Sequence, residues 1–353
     1  MKRFHSCLSL YLIALFQTAL LAEDWAGYDV GKTLPADAQV TYRGSNPLRD
    51  ALKPVPETAI FKMDGFALWD PSVIKVGETY HLFCSRWPKA DDHSFESGWM
   101  QSHVIRATSK SLFGPYEFQE VVLDPKDHPW ATKGIHNPKI TRSGDRFLLY
   151  HLGIPRWQTG FAFADSIEGP WEPVAEPIVK ANNPALYVHE DGRAYMVSKF
   201  KPKPTKDGRW DAYMRAHAAA DVLGPYTTFG DEGNRLPYDL ELEDPTIWWA
   251  NDRYNVICTD WEGKVTGTMK SVIYFTSKDG IDYELYSDQP VWTQDELIPV
   301  GGKEGLKVSR IERPQVYVND KGEVEALLVC VGIEQRGHDY IVIRPVDRFV
   351  PEN

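Results

Sequence analysis

Cysteine and basic charge are both scarce in this chain of 353 residues. Of its 4 cysteines, Cys7 lies in an apolar stretch near the N-terminus, while Cys84, Cys258 and Cys330 lie in separate apolar, strand-like runs. The three cysteines beyond the N-terminal stretch are an odd number, which favours buried free thiols over a disulfide framework. Lysine and arginine total 39 against 50 acidic residues, for a net charge of -11. Such a balance disfavours a nucleic-acid partner, because that binding depends on neutralising phosphates.

Long apolar runs are missing from the sequence after its N-terminal segment. There, Lys2-Arg3 precedes an apolar stretch over residues 8–21, and the small Ala22 follows it. This pattern is typical of a secretory signal peptide at residues 1–22, with an uncleaved N-terminal anchor as the alternative. We therefore expect a secreted or periplasmic protein without a membrane span, whose residues 23–353 form a single catalytic domain.

Aromatic residues, by contrast, are abundant, with 12 Trp and 17 Tyr. Such rings pack well in β-sheets, and they also serve as stacking platforms in sugar-binding clefts. With 42% hydrophobic and 25% charged residues, the chain can bury a sizeable core. The composition is therefore compatible with a globular carbohydrate-binding protein, but it does not require one.

One short motif built around a proline recurs five times and decides the predicted fold class. Two residues precede the proline in each copy, and a β-patterned run follows it. The prolines stand at 71, 138, 184, 245 and 314, so successive units are 67, 46, 61 and 69 residues apart. The copies begin at Trp69-Asp70-Pro71, His136-Asn137-Pro138, Asn182-Asn183-Pro184, Glu243-Asp244-Pro245 and Glu312-Arg313-Pro314.

Each copy is followed by a turn signal and a second β-rich run, which indicates a hairpin. A second landmark, Gly-Pro and an aromatic residue, follows a third β-run at Gly114-Pro115, Gly169-Pro170 and Gly224-Pro225. Units of this length with three or four antiparallel strands match propeller blades. We therefore predict an all-β, five-bladed β-propeller, with a β-sandwich as the alternative. Ring closure should borrow a strand from the residues before Asp70, for which residues 59–62 are a candidate.

The five proline motifs should meet on one face of the ring, because they open equivalent inner strands. Carboxylates crowded at a partly dry ring centre are costly unless they are used or paired. Acids from three blades at one rim are therefore the strongest functional indication in the sequence. Blades one, four and five present Asp70, Glu243 with Asp244, and Glu312, while blades two and three present Asn137 and Asn183.

The second strand of each hairpin returns to the same face, because its strands are antiparallel. Its last residues should surround the same mouth and place aromatic and basic side chains beside the acids. A pocket that is lined by acids at its base and by aromatic and basic side chains at its sides is typical of a sugar-binding site. The residues predicted to bind substrate are Trp69, Arg86, Trp87, His136, Asn137, His151, Asn183, Lys199, Glu243, Asp260, Trp261, Arg313 and His338.

The acids themselves match the needs of glycoside hydrolysis. That reaction requires an acid that protonates the leaving oxygen and a carboxylate that activates water or attacks the anomeric carbon. Asp70, Asp244 and Glu312 supply such a set, and neighbouring carboxylates push their pKa values apart. An Asp before Pro is also a common turn residue, but that explanation does not cover Glu312, which precedes Arg313.

These motifs resemble those of the five-bladed propeller glycoside hydrolases of families 43, 62, 32, 68 and 117. The resemblance rests on the acidic proline motifs and the Gly-Pro landmarks, and it extends over residues 64–346. It implies an exo-acting, inverting glycoside hydrolase whose substrates are plant or algal oligosaccharides or polysaccharides. By position, it implies that Asp70 is the general base, Asp244 the residue that tunes pKa, and Glu312 the general acid.

The spacing of the acids sets this chain apart within that group. In arabinanase-like members of family 43 the second Asp and the Glu fall on units three and four, whereas here unit three has Asn183. The wide gap from Asp70 to Asp244 is closer to family 117, whose members act on red-algal oligosaccharides. The resemblance also makes His136 and His338 candidates near the leaving group, and a structural cation on the axis beside His338 would fit it. The sequence shows no ligand cluster with diagnostic spacing, so we predict no cofactor and no metal site.

Two other functions remain open for the same residues. A catalytically silent propeller that binds glycan or protein predicts that the three carboxylates do not converge. A phosphorolytic enzyme resembling the family 130 mannoside phosphorylases would bind phosphate through Arg86, Lys199 and Arg313, although the signal peptide argues against it. Basic residues at the mouth would pair either with an anionic substrate or with the carboxylates themselves.

Overall fold

The computed structural model describes residues 45–89, 98–200, 213–229, 242–287, 289–293, 298–300, 303–306, 308, 310–333 and 338–351. Residues 1–22 and the domain boundary at residue 23, both predicted from sequence, lie outside these ranges. Within them the chain forms five four-stranded antiparallel sheets. The first strand of each sheet packs against the first strand of the next sheet around a ring. The predicted all-β, five-bladed β-propeller is therefore confirmed.

Each of the first four blades consists of four consecutive strands, and the strand that carries the proline motif lies innermost. Blade one comprises β2 (Phe66–Val76), β3 (Thr79–Pro88), β4 (His103–Ser109) and β5 (Glu117–Leu123); blade two comprises β6 (Gly134–Ser143), β7 (Arg146–Ile154), β8 (Gln158–Ala164) and β9 (Glu172–Pro173). Blade three comprises β10 (Asn182–Val188), β11 (Ala194–Phe200), β12 (Tyr213–Ala219) and β13 (Thr227–Phe229); blade four comprises β14 (Leu242–Ala250), β15 (Arg253–Asp260), β16 (Ser271–Ser277) and β17 (Glu284–Leu285).

Blade five closes the ring with a strand taken from the other end of the chain. Its outermost strand is β1 (Ile60–Phe61), in which Ile60 pairs with Val342 and Phe61 with Ile341. The predicted closing segment at residues 59–62 is thus confirmed. The other strands of this blade are β20 (Arg310–Val318), β21 (Val324–Ile333) and β22 (His338–Phe349), and a separate hairpin is formed by β18 (Ile298–Val300) and β19 (Lys303–Leu306).

Helical structure in the described ranges is confined to short segments. Helix α1 (Pro47–Asp50) begins after Asn46, whose side-chain oxygen accepts hydrogen bonds from two backbone amides of the first turn. Single 3₁₀ turns occupy Glu57–Ala59 and Trp99–Gln101. Among the residues that the structure places, no helix is long and apolar enough to cross a membrane.

The largest hydrophobic cluster joins the closing segment to the blades on either side of the closure. It packs Leu48 and Phe61 against buried residues of blades one, four and five, such as Leu82, Trp248 and Leu328. Burial of these side chains stabilises the closure, because each removes apolar surface from water. Cys84, Cys258 and Cys330 are buried free thiols, as expected from their apolar surroundings in the sequence.

The first Gly-Pro landmark marks a close contact between blade one and the 3₁₀ turn that precedes β1. Gly114 has a φ of 71°, and a Cβ atom at this position would clash with the backbone carbonyl of Thr58. Gly144 in blade two has a similar φ of 59°, but a Cβ atom there would meet no atom within 4 Å. The two glycines therefore share the backbone constraint and differ in their packing.

We expect Gly114→Ala to lower the free energy of unfolding by about 2–5 kcal/mol, because left-handed strain and a steric clash add together. The matched change Gly144→Ala should cost only about 1–2 kcal/mol, because it introduces the strain alone. Urea unfolding of both variants measures the difference. Equal losses would contradict the close contact with Thr58.

Candidate active site

The residue before the motif proline adopts a left-handed backbone conformation in all five blades. Its φ is 58° at Asp70, 53° at Asn137, 48° at Asn183, 56° at Asp244 and 58° at Arg313. In each blade the strand pairing shifts register across this residue, which marks a β-bulge. Asn and Asp tolerate this conformation, whereas Arg rarely adopts it. Contacts among these five residues, made for Asn137 by its backbone amide, show that they meet at the centre of the ring.

Arg313 links the acids of blades one and four. Its Nε lies 3.1 Å from Oδ1 of Asp70, and its Nη1 lies 2.5 Å from Oδ1 of Asp244. Both carboxylates are buried, so solvent screens this attraction only weakly. Blade five therefore supplies the cation that compensates two buried acids from other blades.

Asp70 is surrounded by hydrogen-bond donors. Its Oδ2 accepts hydrogen bonds from Oγ of Ser85 at 2.7 Å and from the backbone amide of Asn137 at 2.9 Å, and Nε2 of His136 lies 3.1 Å away. Burial raises the pKa of Asp70, but His136, Arg313 and these hydrogen bonds together lower it below its ordinary value. Asp70 is therefore ionised at neutral pH and ready to act as a base.

His136 is an uncharged donor to Asp70 at neutral pH. Burial lowers the pKa of this imidazole to about 4, although the neighbouring Asp70 favours its charged form. An ionised carboxylate only accepts hydrogen bonds, so Nε2 of His136 carries the proton. Its Nδ1 is then unprotonated, and Oγ of Ser102, which donates to the backbone carbonyl of Ile135, lies 3.0 Å from it. The rings of Trp87 and Trp99 pack against the imidazole, with centroids 5.8 Å and 5.3 Å away.

Asp244 contacts the same arginine as Asp70, but its other neighbours differ. Its Oδ1 accepts a hydrogen bond of 2.6 Å from Nδ2 of Asn183, whereas its buried Oδ2 has no hydrogen-bond partner in the described part of the chain. Burial raises the pKa of this carboxyl despite the opposing effects of Arg313 and Lys199. The structure therefore pushes the pKa values of Asp70 and Asp244 in opposite directions.

Two glutamates occupy equivalent positions, one residue before the bulge in blades four and five. Nζ of Lys199 forms an ion pair with Oε1 of Glu243, and Nζ of Lys270 lies 2.9 Å from Oε1 of Glu312. The Lys199 side chain is 5% exposed and the Lys270 side chain is 20% exposed. Lys270 therefore has more freedom to move away from its glutamate when a ligand enters.

Glu312 belongs to the same electrostatic cluster as the two aspartates. Its charge acts to raise the pKa values of both His136 and Asp244. Glu312 is also the residue before Arg313, whose guanidinium contacts both Asp70 and Asp244. The three acids therefore lie in one region at the ring centre.

Lys139 is a buried cation at the same centre. Its Nζ donates a hydrogen bond to the backbone carbonyl of Pro245, which links blade two to blade four. Burial lowers the pKa of this ammonium to about 7, against the opposing effects of Asp244 and Asp70. Lys139 therefore adds positive charge beside the two aspartates, and its charge state is sensitive to pH near neutrality.

Several residues predicted to bind substrate do come together at the centre. The ring of Trp87 packs against His136. Nζ of Lys270, which pairs with Glu312, lies 4.5 Å from the ring centroid of Trp261. The predicted residues that the structure joins in this region are Asp70, Trp87, His136, Asn137, Asn183, Lys199, Glu243, Asp244, Trp261, Glu312 and Arg313.

Other predicted residues have different surroundings. Arg86 stacks between the rings of Phe66 and Phe118, with its guanidinium carbon 4.2 Å and 4.7 Å from their centroids. His151 is buried, with its Nε2 3.3 Å from Nε2 of His128. Both side chains therefore pack within their own part of a blade, because each strand alternates its side chains between two faces.

The contacts described for the remaining three predicted residues are also made away from the cluster of acids. Trp69 is fully buried, with the guanidinium of Arg310 4.6 Å from its ring centroid. Asp260 accepts hydrogen bonds from backbone amides of residues 264–266, so it orders the turn that follows β15. The backbone of His338 pairs with Ile333 in blade five, and its side chain lies outside the described residues.

Sequence reasoning missed several residues of the site. Ser85 and Ser102 were not singled out, although they bind Asp70 and His136. Lys270 is the turn residue immediately before β16, the third strand of blade four, for which the hairpin argument made no prediction. No repeat-based signal identifies these side chains, because the proline motif marks only the first strand of a blade.

No metal site is evident in the part of the chain that the structure describes. There, no group of three or more His, Cys, Asp and Glu side chains is placed to hold a metal ion. The structural cation suggested beside His338 depends on a side chain outside the described residues.

We expect Arg313→Met to lower the free energy of unfolding at pH 7 by about 3–5 kcal/mol, because it leaves two buried carboxylates without their shared cation. The loss should shrink as pH is lowered to 4 and below. In the wild type, the lowered pKa of Asp70 contributes stability that is present above its ordinary value of 3.8 and is lost only as pH falls below that value. In the variant, this contribution is reduced and protonation relieves the repulsion. Urea unfolding at pH 7 and at lower pH measures both effects.

The matched control is Arg193→Met, which removes an exposed ion pair with Asp191. Exposed pairs contribute little, so this variant should unfold like the wild type at each pH. A stability loss for Arg313→Met that does not change with pH would contradict the proposed charge compensation.

Curated relatives resemble parts of the chain. A 25% identical match of 246 residues to "Xylan 1,3-beta-xylosidase" from a Vibrio species covers 64% of this chain and 42% of that protein. A 34% identical match of 93 residues to "Xylosidase/arabinosidase 43A" from Humicola insolens covers 24% of this chain and 28% of that protein. The chain thus spans less than half the length of these relatives.

Solved structures share the fold over most of the chain. A family 43 beta-xylosidase/alpha-arabinofuranosidase from a compost metagenome, in complex with xylotriose, has a TM-score of 0.57 at 17% identity and covers 88% of this chain and 98% of that one. A family 117 glycoside hydrolase from Zobellia galactanivorans has a TM-score of 0.54 at 15% identity and covers 83% of this chain and 88% of that one. At these identities the likeness establishes the fold alone.

The family itself is shown by a sequence model that describes the glycosyl hydrolases of family 43. It matches residues 65–296, more than half of the chain. The matched range includes the acids of blades one and four and ends before Glu312. The closeness to family 117 that was inferred from acid spacing is not confirmed. This chain belongs to glycosyl hydrolase family 43.

Proposed function

We propose that this protein is an exo-acting, inverting glycoside hydrolase that removes pentose units from plant oligosaccharides or polysaccharides. The observation that carries the proposal is Asp70, a buried and ionised carboxylate at the ring centre of a family 43 chain. The pentose is suggested by the relatives named as xylosidases and arabinosidases. Export through residues 1–22 would bring the enzyme to such substrates, and it stays a prediction.

Asp70 serves as the general base in this proposal. Its lowered pKa keeps the carboxylate ionised, so that it can take a proton from the attacking water. The donors at its Oδ2 and the guanidinium at its Oδ1 hold the group in one orientation. A fixed orientation favours the reaction, because the water must approach the anomeric carbon along a defined line.

Asp244 adjusts the charge of the site. It shares Arg313 with Asp70, so a change in its protonation alters how much of the guanidinium charge Asp70 experiences. The unpartnered Oδ2 of Asp244 and Nδ2 of Asn137 are buried polar atoms at the ring centre. They offer one acceptor and one donor for hydroxyl groups of a bound sugar.

Glu312 is the proposed general acid, and Glu243 is the alternative candidate for the same role. Glu312 shares the electrostatic cluster of Asp70, and its partner Lys270 is exposed enough to move aside. Glu243 lies in the fourth blade and inside the residues matched to family 43, but its partner Lys199 is buried. Either glutamate must exchange its lysine for the leaving oxygen before it can donate a proton.

Conservative substitutions should separate the roles of the three acids. We expect Asp70→Asn to lose about 10³-fold or more of its activity on both xylobiose and nitrophenyl xyloside, because every substrate needs the base. Glu312→Gln should lose about 10²-fold or more on xylobiose and much less on the nitrophenyl glycoside, whose leaving group needs no protonation. Steady-state kinetics on these xylosides and on matching arabinosides measure the pattern.

Glu243→Gln is the matched control, because it makes the same change at the equivalent position one blade earlier. If this variant instead shows the dependence on leaving group, then Glu243 is the proton donor. Full activity of both Asp70→Asn and Glu312→Gln would end the proposal.

The stereochemistry of the product gives an independent test of the mechanism. Inversion requires that the first sugar released from a β-xyloside be the α-anomer, because water attacks the face opposite the leaving group. Proton NMR during the first minutes of hydrolysis distinguishes the anomers before they equilibrate. A β-anomer as the first product would show a retaining mechanism and would exclude Asp70 as the base that activates water in a single displacement.

A further inference from the structure

A row of aromatic rings leads from Asp70 to the protein surface. It begins with His136, which contacts Asp70. The ring of Trp99 lies 5.3 Å from His136, and the ring of Trp157 lies 5.5 Å from Trp99. Trp157 is 40% exposed. The row therefore connects the buried base to solvent through two tryptophans that have no part in the reaction proposed above.

Trp157 lies on the same face of the propeller as the acids. It belongs to the connection between β7 and β8, next to the pairing of Gly153 with Gln158. The end of β7 also pairs with the beginning of β6, where Ile154 faces Gly134 two residues before His136. The connection therefore borders the mouth at blade two.

The backbone of Trp157 is strained, although its ring is only partly buried. Its φ is 57°, a conformation that is rare for a bulky residue and disfavoured for any residue with a Cβ atom. The backbone is held by a hydrogen bond of 2.8 Å from its amide to the carbonyl of Gly153. The ring contacts Trp99, but 40% of the side chain stays exposed, so part of its apolar surface gains nothing from burial in return. Strain kept at an exposed ring beside a candidate active site indicates a binding role.

We propose that Trp157, supported by Trp99, is a stacking platform for a sugar unit of the substrate beyond the one held over Asp70. The proposal rests on the proposed hydrolysis of oligosaccharides and names a second binding position for them. An indole ring offers a broad apolar face, which matches the C–H face of a pyranose. Neighbouring Arg156 is paired with Glu176 at 2.5 Å, so the charge beside the platform is compensated and a neutral sugar is favoured.

The platform makes affinity depend on the length of the oligosaccharide. In this proposal, a single xylose occupies only the position at Asp70, whereas the longer xylotetraose also contacts the exposed ring of Trp157. Loss of one aromatic anchor at a binding site typically weakens affinity by about tenfold. The effect should therefore appear with the longer sugar and be absent with xylose.

Calorimetric titration in the Asp70→Asn background measures binding without turnover. We expect Trp157→Ala to weaken binding of xylotetraose or arabinotetraose, whichever the parent binds more tightly, by about tenfold. Binding of the free monosaccharide should change by less than about twofold. Trp157→Phe should restore most of the affinity, because it keeps an aromatic face. Trp249→Ala, at the far end of β14 from Asp244, is the matched control and should bind like the parent.

Thermal unfolding separates a binding role from a structural one. Asn tolerates the left-handed conformation, so Trp157→Asn should raise Tm or leave it unchanged while it weakens binding of the tetraose. A residue that serves packing would instead lower Tm on replacement.

Three results would overturn the proposal. These are unchanged affinity of the Trp157→Ala variant for the tetraose, equal weakening for monosaccharide and tetraose, and failure of the parent to bind either tetraose. Hydrolysis of nitrophenyl glycosides by the wild type tests the proposed function separately. A hydrolase whose affinity for tetraoses does not depend on Trp157 refutes the platform alone, and a tetraose-binding protein that depends on Trp157 without hydrolysis refutes the enzymatic function alone.

Discussion

The ion pairs of Arg313 with Asp70 and Asp244 are the interaction on which the centre of this propeller depends. Two carboxylates from different blades are buried within reach of one guanidinium. Without that cation they would be uncompensated charges in a region of low polarity, where such charges are strongly destabilising. The bulge before each motif proline brings these side chains together, because it inserts a left-handed residue that turns out of the strand pairing.

The same arginine serves two acids that titrate differently, and this asymmetry gives the site its chemical character. Asp70 has three hydrogen-bond donors at one oxygen in addition to the arginine, so its charged form is favoured. Asp244 has one amide and the arginine at one oxygen and no partner in the described residues at the other, so burial dominates and its pKa is raised. Two identical side chains thereby acquire different protonation behaviour from their neighbours alone.

Much of the fold and part of the site could be predicted because both follow from a repeat. Five proline motifs indicated five inner strands, and the residues beside them indicated which blades carry Asp70, Asp244 and Glu312. Side chains on other strands could not be placed in the same way. Arg86 and His151 lie at the end of the second strand of a hairpin, where the sequence placed them beside the acids. Their side chains nevertheless point to the other face of the strand and pack against Phe66 and His128. The choice between Glu243 and Glu312 as proton donor likewise depends on how exposed their partner lysines are, which only the structure reveals.

The sequence by itself determined the five-fold repeat and the set of acids at the mouth, and it offered a candidate for the strand that closes the ring. These properties are local patterns, or follow from placing equivalent residues at equivalent positions. Only the tertiary structure decided that Arg313 bridges two aspartates, that His136 is a neutral donor, and that Trp99 and Trp157 extend from the base to solvent. Each of these depends on contacts between residues far apart in the chain and on burial, which sets the strength of every charge interaction.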